Sequence, residues 1–476
     1  MSVVKSDRKT DLADRLSDRR WTIGIVLFAV ALRVAAALVW QYQCSAAGTS
    51  LRFGDSHSYW TIARNLVIDG QYQYGSDQSR IFRAPVYPLF LAPFAWSESF
   101  TGDEPARVSF VLAARLVGCL LGGSVVWILM RWTTALAGSV AGRFAGVLAA
   151  TYSGAVGMSI FVLSEAVATP LIVLCCWMLW RSTHRLQGDD KFHRYVWTAG
   201  SAVAFGLACL ARPSWGLWPA VAFPFLAVAS KLKDEEFFRK WFGQGLLFFG
   251  VLSAIMFPWW VRNYVVTGRF VPTTLQVGAS LYDGWHPGAS GSSDENMDFS
   301  MKTMARIVQE ESVLANADSK RESTLEWRID RRLRDEAWGW ARENPSDALT
   351  LGLVKFWKTW SPLPTARELS NPLIKWWEAV SYLCILSMSA LGLRSLRYER
   401  KRWIDASYMV LPCVYLAMLH MVFVGSVRYR QPGVLMLCGL AGIGVQAVWT
   451  KWFEAFRMKQ DRNRTDAVGD RDETEQ

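Results

Sequence analysis

Long runs of apolar residues alternate with short polar and basic segments along most of this 476-residue chain. About 20 consecutive apolar residues are enough for a helix to cross the hydrocarbon core of a bilayer. The pattern therefore predicts an all-α polytopic membrane protein with about ten transmembrane helices. The predicted spans are residues 21–40, 106–130, 144–161, 166–180, 195–211, 214–229, 241–260, 374–393, 403–424 and 432–449.

The positions of basic residues predict the orientation of these spans. Short loops rich in Lys and Arg stay in the cytoplasm. Ten spans place every basic loop on one side, with both termini in the cytoplasm. The chain then divides into a cytoplasmic segment 1–20, a transmembrane catalytic core 21–261 with a first external loop 41–105, a large external loop 262–371, C-terminal transmembrane helices 372–450 and a tail 451–476 that is predicted to be cytoplasmic and disordered.

The two external loops also contain helical patterns. In the first loop, apolar residues recur at helical spacing directly after Asp55. In the long loop, residues 301–311, 324–343 and 349–360 have the same property. We expect all of these stretches to be helices. The one after Asp55 and the one at 349–360 are predicted to lie at the membrane interface, the latter because it is apolar but too short to span a bilayer.

Composition supports the membrane assignment and removes one alternative. The chain is 51% hydrophobic and 13% aromatic, with a mean hydropathy of +0.13. Its net charge of +11 would suggest nucleic-acid binding in a soluble protein, but the basic residues lie in the loops between apolar runs, so no nucleic-acid partner is expected. The chain is predicted to be a multi-pass protein of the cell membrane.

Asp55 is the first candidate for chemistry. It follows the first span in the polar stretch 53–66, where the chain would emerge from lipid into water. A lone Asp before a helix commonly caps that helix, which is the structural alternative to catalysis. His57 raises a second alternative, a divalent cation held with Asp55. No other His or Cys stands nearby at ligand spacing, so no metal site is assigned, and cation dependence stays open.

Arg83 and Tyr87 lie in a segment that two prolines stiffen. Arg80 and Arg83 precede Pro85, and Tyr87 stands just before Pro88. A guanidinium held near lipid headgroups is geometrically suited to bind phosphate. An aromatic and basic anchor at the membrane interface is the other interpretation.

Further charged residues fall at the external ends of predicted spans. Any one of them could be a side chain that reaches from a helix end to the headgroups. Positive charge on the external face nevertheless runs against the usual bias, so a cluster of arginines there favours an anionic partner such as a lipid-linked phosphate. Candidates for donor-phosphate or substrate binding are Arg83, Tyr87, Glu165, Arg212, Arg262, Asp283, Arg428 and Arg430. Arg33 and Arg115 lie within apolar runs and are secondary candidates for binding the same anion as the arginines at span ends.

Taken in order, these motifs resemble those of the bacterial glycosyltransferase family 39, relatives of the protein O-mannosyltransferases. The resemblance covers about residues 21–449. The stretches that carry it are Asp55-x-x-x-Tyr59-x-x-x-Ala63, Arg83-x-Pro85-x-Tyr87-Pro88, Leu163-Ser164-Glu165, Ala211-Arg212-Pro213, Pro258-Trp259-Trp260-x-Arg262-Asn263-Tyr264 and Arg428-Tyr429-Arg430-x-Pro432.

The resemblance implies a fold of the GT-C superfamily and transfer of a hexosyl or pentosyl group from a polyprenyl-phosphate donor on the extracytoplasmic side. Asp55 matches the family's catalytic acid and would act as general base, because a phosphate leaves without needing a general acid. Ser56 stands where eukaryotic protein mannosyltransferases have a second acid. The acceptor, whether glycan, lipid or protein, is therefore left open.

Two other functions fit the same pattern. A transporter or flippase for a lipid-linked or anionic substrate would use the arginines as a path through the membrane. A non-enzymatic polyprenol-binding subunit would use the arginines without Asp55. The charges lie mostly at span ends on one face, which favours an enzyme over a transporter.

Overall fold

A computed structural model describes residues 2–75, 79–96, 108–184, 191–231, 235–292, 298–317, 324–363, 371–397 and 399–473. Within these ranges the regular structure is helical and contains no strand. The helices are α1 Ser2–Ala46, α2 Gly54–Ile68, α3 Val86–Trp96, α4 Val108–Ala137, α5 Ser139–Thr151, α6 Ser153–Ile160, α7 Glu165–His184, α8 Lys191–Ala211, α9 Trp218–Lys231, α10 Glu235–Thr267, α11 Val277–Gly284, α12 Asp298–Ala317, α13 Leu325–Glu343, α14 Pro345–Trp360, α15 Pro372–Leu396, α16 Arg400–Val422 and α17 Val427–Glu473.

Seven of the described helices are long and apolar enough to cross a membrane. Their apolar parts confirm the predicted fold class, an all-α polytopic membrane protein. They are Ser17–Ala46 in α1, Ser109–Ala137 in α4, Glu165–Thr183 in α7, Phe242–Thr267 in α10, Pro372–Leu396 in α15, Lys401–Val422 in α16 and Val427–Met458 in α17.

The other three predicted spans correspond to helices outside that set of seven. The span predicted at 144–161 is divided between α5 and α6, because Tyr152 takes an extended conformation with φ −62° and ψ 116°. The span predicted at 195–211 is α8, which begins with polar residues. The span predicted at 214–229 is α9, which has 14 residues and follows a 3-10 turn at Pro213–Trp215.

Helix α17 extends into the C-terminal tail, which the sequence predicts to be disordered. Helix α17 continues without a break from its apolar part to Glu473, and residues 474–476 lie outside the described ranges. Lys, Arg, Gln and Glu are good helix formers. They extend an existing helix without the cost of a new nucleus, so a polar composition alone does not end it.

A small apolar cluster holds α2 and α3, in the segment predicted to form the first external loop, against the membrane helices. Tyr59 and Trp60 of α2 are buried in it, together with Tyr87 of α3, Val167 of α7 and Ala211 at the end of α8. Burial of apolar surface contributes roughly 25 cal/mol per Å². This packing brings the start of α2, the start of α7 and the end of α8 to the same end of the bundle.

The segment predicted to form the large external loop has an apolar core of its own. Leu281 of α11 and Trp285, which follows α11, pack against Ile307 of α12 and Leu333 of α13. Ion pairs between α12 and α13 add to this contact, among them Arg328 Nε with Glu311 Oε2 at 2.7 Å. The predicted helices at 301–311, 324–343 and 349–360 are present as α12, α13 and α14.

Candidate active site

Asp55 lies between two arginines from distant parts of the chain. Its Oδ1 accepts from the guanidinium of Arg83 at 2.6 Å, and its Oδ2 accepts from Arg428 at 3.0 Å. The N-cap of α2 is Phe53, so Asp55 stands in the first turn and does not cap the helix. The Asp55 side chain is 36% exposed, which leaves it open to a substrate.

Glu165 continues the same network on the other side of Arg428. Both of its carboxylate oxygens accept from the Arg428 guanidinium, and Oε2 also lies 3.1 Å from Arg212. The Glu165 side chain is only 2% exposed. Ser164 Oγ accepts from Arg212 at 3.1 Å and fixes that guanidinium further.

These five residues form an alternating row of charge, Arg83, Asp55, Arg428, Glu165 and Arg212, which we call the arginine–carboxylate cluster. Five different segments supply them: the loop before α3, the start of α2, the starts of α17 and α7, and the residue after α8. Three guanidinium groups face two carboxylates, so one positive charge has no partner within the cluster. Such a site attracts an anion.

The arginines determine the protonation of Asp55. Burial by itself would raise the pKa of the Asp55 carboxyl. The positive charges of Arg83 and Arg428, and the hydrogen bonds they donate, outweigh this effect and hold the pKa well below its ordinary range. Asp55 is therefore ionised at neutral pH when no substrate is bound. The same pairing raises the pKa of Arg83.

Aromatic rings surround the cluster and restrict its arginines. The guanidinium carbon of Arg83 lies 4.7 Å from the ring centre of Tyr59, and Tyr87 packs edge-on against Tyr59. On the other side, Arg212 lies 5.3 Å from the ring centre of Tyr429, which stacks on His420. Tyr87 is 1% exposed, so it supports the cluster from behind and does not face a substrate.

Besides Tyr87, three of the predicted binding residues lie outside the cluster. Arg262 donates to the carbonyl oxygens of Tyr72 and Arg80 and so braces the loop that leads to Arg83. Asp283 is buried on α11. Arg430 is fully buried, where it donates to the carbonyl oxygens of Thr359 and Ser361, pairs with Glu378 and lies over the Tyr382 ring.

The separation of Arg428 and Arg430 has a simple cause. Both belong to the first turn of α17, and residues two apart on a helix point to different faces. Arg428 faces Asp55 and Glu165, whereas Arg430 faces α14 and α15. The prediction that Arg430 binds a donor phosphate is therefore not supported by its position, because its side chain is 0% exposed.

His57 does not join Asp55 for the same geometric reason. It lies two residues after Asp55 on α2 and is exposed. Within the described part of the chain, no three His, Cys, Asp or Glu side chains stand close enough to hold a metal ion. A cation held jointly by Asp55 and His57 is thus not supported by the geometry.

Arg33 and Arg115, which lie within the spans predicted from the sequence, are anchored away from the cluster. Arg33 donates to Ser159 Oγ and to the carbonyl oxygens of Ala29, Ala149 and Ala150. Arg115 donates to the side chain of Gln41 and to the carbonyl oxygen of Ser50. These bonds satisfy buried charge and connect helices.

Sequence reasoning missed several residues that hold the cluster in place. Ser58 Oγ accepts from Arg83 Nε at 2.9 Å, and Gln276 Oε1 accepts from Arg83 at 3.0 Å. Ser58 stands three residues after Asp55, one helical turn along, which is a signal that the sequence contained. Gln276 comes from a segment 193 residues away and had no such signal.

Comparison with known proteins identifies the fold. No protein-family profile matches the chain, and no curated protein matches it in sequence. Among solved structures, the oligosaccharyltransferase AglB from Archaeoglobus fulgidus, in complex with an inhibitory peptide and a dolichol-phosphate, is similar with a TM-score of 0.55 and 10% identity over 93% of this chain and 52% of that chain. The apo form of the oligosaccharyltransferase from the same organism is similar with a TM-score of 0.55 and 12% identity, over 92% of this chain and 52% of that chain.

ArnT from Cupriavidus metallidurans, bound to undecaprenyl phosphate, is a third match, with a TM-score of 0.40, 16% identity and coverage of 88% of this chain and 78% of that chain. The chain spans about half the length of the oligosaccharyltransferase chains it matches. At these identities the likeness concerns the fold alone. The chain is a multi-pass membrane protein whose helical fold is similar to that of the AglB oligosaccharyltransferase. Membership of the GT-C superfamily and of glycosyltransferase family 39 stays a prediction.

Proposed function

We propose that this chain is an integral membrane glycosyltransferase that takes a sugar from a polyprenyl-phosphate donor and transfers it to an acceptor on the extracytoplasmic face. The observation that carries the proposal is the arginine–carboxylate cluster, which combines a surplus positive charge with an accessible carboxylate at one end of the helix bundle. The fold adds support, because the similar AglB structure contains a dolichol-phosphate.

In this proposal the arginines bind the donor phosphate. A guanidinium fork donates two parallel hydrogen bonds to phosphate oxygens. Arg83 and Arg212 are 13% and 16% exposed, and Arg428 is 27% exposed, so each is partly open. As the bond from the sugar to the phosphate oxygen breaks, its electron pair and negative charge pass to the phosphate, and the arginines stabilise that charge.

Asp55 is the proposed general base. A base works best when its pKa lies near the working pH, whereas the two arginines hold the pKa of Asp55 far below it. A donor phosphate would compete for Arg83 and Arg428 and so raise the pKa of Asp55. The carboxylate would then take the proton of the acceptor hydroxyl while its oxygen attacks the anomeric carbon.

One accessible carboxylate predicts inversion of the anomeric centre. A retaining enzyme normally uses a second carboxylate as nucleophile. Glu165 is the other acid of the cluster, but it is 2% exposed and engaged with two arginines. Direct attack of the acceptor opposite the leaving phosphate is therefore the proposed course.

The transporter or flippase alternative has less support. It requires charges that line a path through the membrane. Arg33 and Arg115, which lie within predicted spans, are instead bonded to neighbouring helices. A non-enzymatic polyprenol-binding subunit can be distinguished by replacing Asp55. Binding alone does not need a base, so this alternative predicts that Asp55→Asn keeps its function.

The test compares glycolipids and glycoproteins by mass spectrometry in cells that lack the gene and carry wild type, Asp55→Asn or Arg342→Gln. Arg342 is an exposed arginine at the end of α13 and serves as the control. We expect wild type and Arg342→Gln to restore one sugar addition that Asp55→Asn does not restore. Full restoration by Asp55→Asn would exclude Asp55 as the base. No difference between wild type and empty cells would exclude sugar transfer to these acceptors.

A further inference from the structure

The loop that carries Arg83 is fixed by a glutamate from the long external loop. Glu326 lies in the first turn of α13, and its carboxylate accepts from the backbone N–H of Arg80 at 3.0 Å. It also accepts from the N–H of Ile81, at 3.2 Å through one oxygen and 3.1 Å through the other. The two partners are 246 and 245 residues away along the chain.

We propose that Glu326 is a positioning residue, which sets the place of Arg83 opposite Asp55 and so couples the long external loop to the site in the first loop. The site's activity rests on the function proposed above, whereas the positioning of the loop does not. A carboxylate that accepts from two consecutive backbone N–H groups through both of its oxygens holds that part of the loop in place.

Other contacts show that this loop depends on parts of the protein outside the first loop. The N–H of Leu275 donates to the carbonyl oxygen of Ile81 at 3.0 Å, and Arg262 donates to the carbonyl oxygen of Arg80 at 2.9 Å. Tyr72 Oη donates to the carbonyl oxygen of Arg83 at 3.0 Å. Glu326 supplies the N–H groups of the loop with an acceptor that these contacts do not provide.

Helix α13 also supports the Arg83 side chain indirectly, through the start of α11. Asp330 Oδ1, one helical turn after Glu326, accepts from the N–H of Gly278 at 2.7 Å. This bond fixes the start of α11 next to Gln276, whose side chain accepts from the Arg83 guanidinium at 3.0 Å. One face of α13 thus contacts the backbone beside Arg83 and supports the amide that holds its side chain.

The experiment measures the loop first and the site second. Variants Glu326→Ala and Glu326→Gln are compared with wild type and with the control Glu336→Ala. Glu336 also lies on α13, but its carboxylate pairs with Arg306 of α12 and not with the loop. Hydrogen–deuterium exchange is followed in the peptide that contains residues 79–86, and binding of undecaprenyl phosphate is measured on the same full-length proteins.

We expect exchange in this peptide to be about tenfold faster in Glu326→Ala, which is the effect of about 1.4 kcal/mol of lost hydrogen bonding. Glu326→Gln keeps one acceptor oxygen and should restore part of the protection, and Glu336→Ala should match wild type. Binding of undecaprenyl phosphate should weaken several-fold in Glu326→Ala alone.

Each result has a distinct meaning. Unchanged exchange in Glu326→Ala would overturn the positioning role. Faster exchange with unchanged binding of undecaprenyl phosphate would overturn the coupling between this loop and the site. If wild type itself did not bind undecaprenyl phosphate, the proposed donor would be wrong, and the exchange measurement would still decide whether Glu326 holds the loop.

Discussion

The guanidinium of Arg428 bonds Asp55 across 3.0 Å, although 373 residues separate the two along the chain. The same guanidinium also holds both oxygens of Glu165. Arg428 therefore joins the accessible carboxylate of the cluster to the buried one. Its loss should affect the fold as well as the site.

Replacing Arg428 should destabilise the protein more than replacing an exposed arginine. Arg428→Gln leaves Glu165, which is 2% exposed, with a single charged partner in the cluster. Removing one partner of a buried ion pair costs about 3–5 kcal/mol. We expect a clear fall in the thermal unfolding temperature in detergent. Arg402→Gln is the control, because its pair with Glu399 is about half exposed, and a similar fall in both variants would contradict the prediction.

Arg212 should contribute to phosphate binding with less effect on the fold. Arg212→Gln removes a charge-assisted donor, worth about 1.5–3 kcal/mol, from the proposed phosphate site. Binding of undecaprenyl phosphate, measured by titration of the purified protein, should weaken by about tenfold or more. Arg342→Gln should bind as wild type does. Equal affinities of Arg212→Gln and wild type would remove Arg212 from the binding site.

Asp55 should make stability depend on acidic pH. Its pKa is held below the ordinary value of about 3.9, so the folded state binds this proton less tightly than the unfolded state. The stability it contributes is present above about pH 3.9 and is lost as pH falls further. The difference between the unfolding temperatures of wild type and Asp55→Asn, measured from pH 7 to pH 3, should narrow below about pH 4. Parallel curves would show that the two arginines do not depress this pKa.

Glu326 should show the opposite dependence. Burial raises its pKa to about 7, against the effect of the N–H groups of Ile81 and Arg80, with Arg262 lowering the pKa and Asp330 raising it. The folded state therefore binds this proton more tightly, and the stability gained from it is lost as pH rises from about 4.3 to about 7. The unfolding temperature of wild type should therefore fall across this pH window relative to that of Glu326→Gln. A constant difference between them would contradict the raised pKa.

The external placement of the site can be tested with single cysteines. His57 is exposed beside Asp55, and Cys384 is the exposed cysteine of the native chain. In a Cys384→Ser background, His57→Cys should react with a membrane-impermeant thiol reagent in intact cells. Ser395 lies at the C-terminal end of α15, which is predicted to face the cytoplasm, so Ser395→Cys should react only after permeabilisation. The reverse pattern would place the cluster in the cytoplasm.

The sequence was sufficient for the fold class because apolar runs report directly on membrane helices. It also indicated Asp55, Arg83, Glu165, Arg212 and Arg428, since alternation of the spans puts these residues on one face. The sequence placed both Arg428 and Arg430 at the site. Their spacing of two residues on a helix already indicated that the two side chains point to different faces. Glu326 was out of reach, because its partners are backbone groups about 245 residues away, and no side-chain pattern records them.

The position of Arg428 at the start of α17 has a consequence for biogenesis. Asp55 and Glu165 are synthesised 373 and 263 residues before it, so both acids must wait for their shared partner while the helices between them are inserted. A nascent chain that stalls before Val427 would retain two acids at the bundle end without that partner. The site is therefore complete only once α17 has taken its place in the bundle.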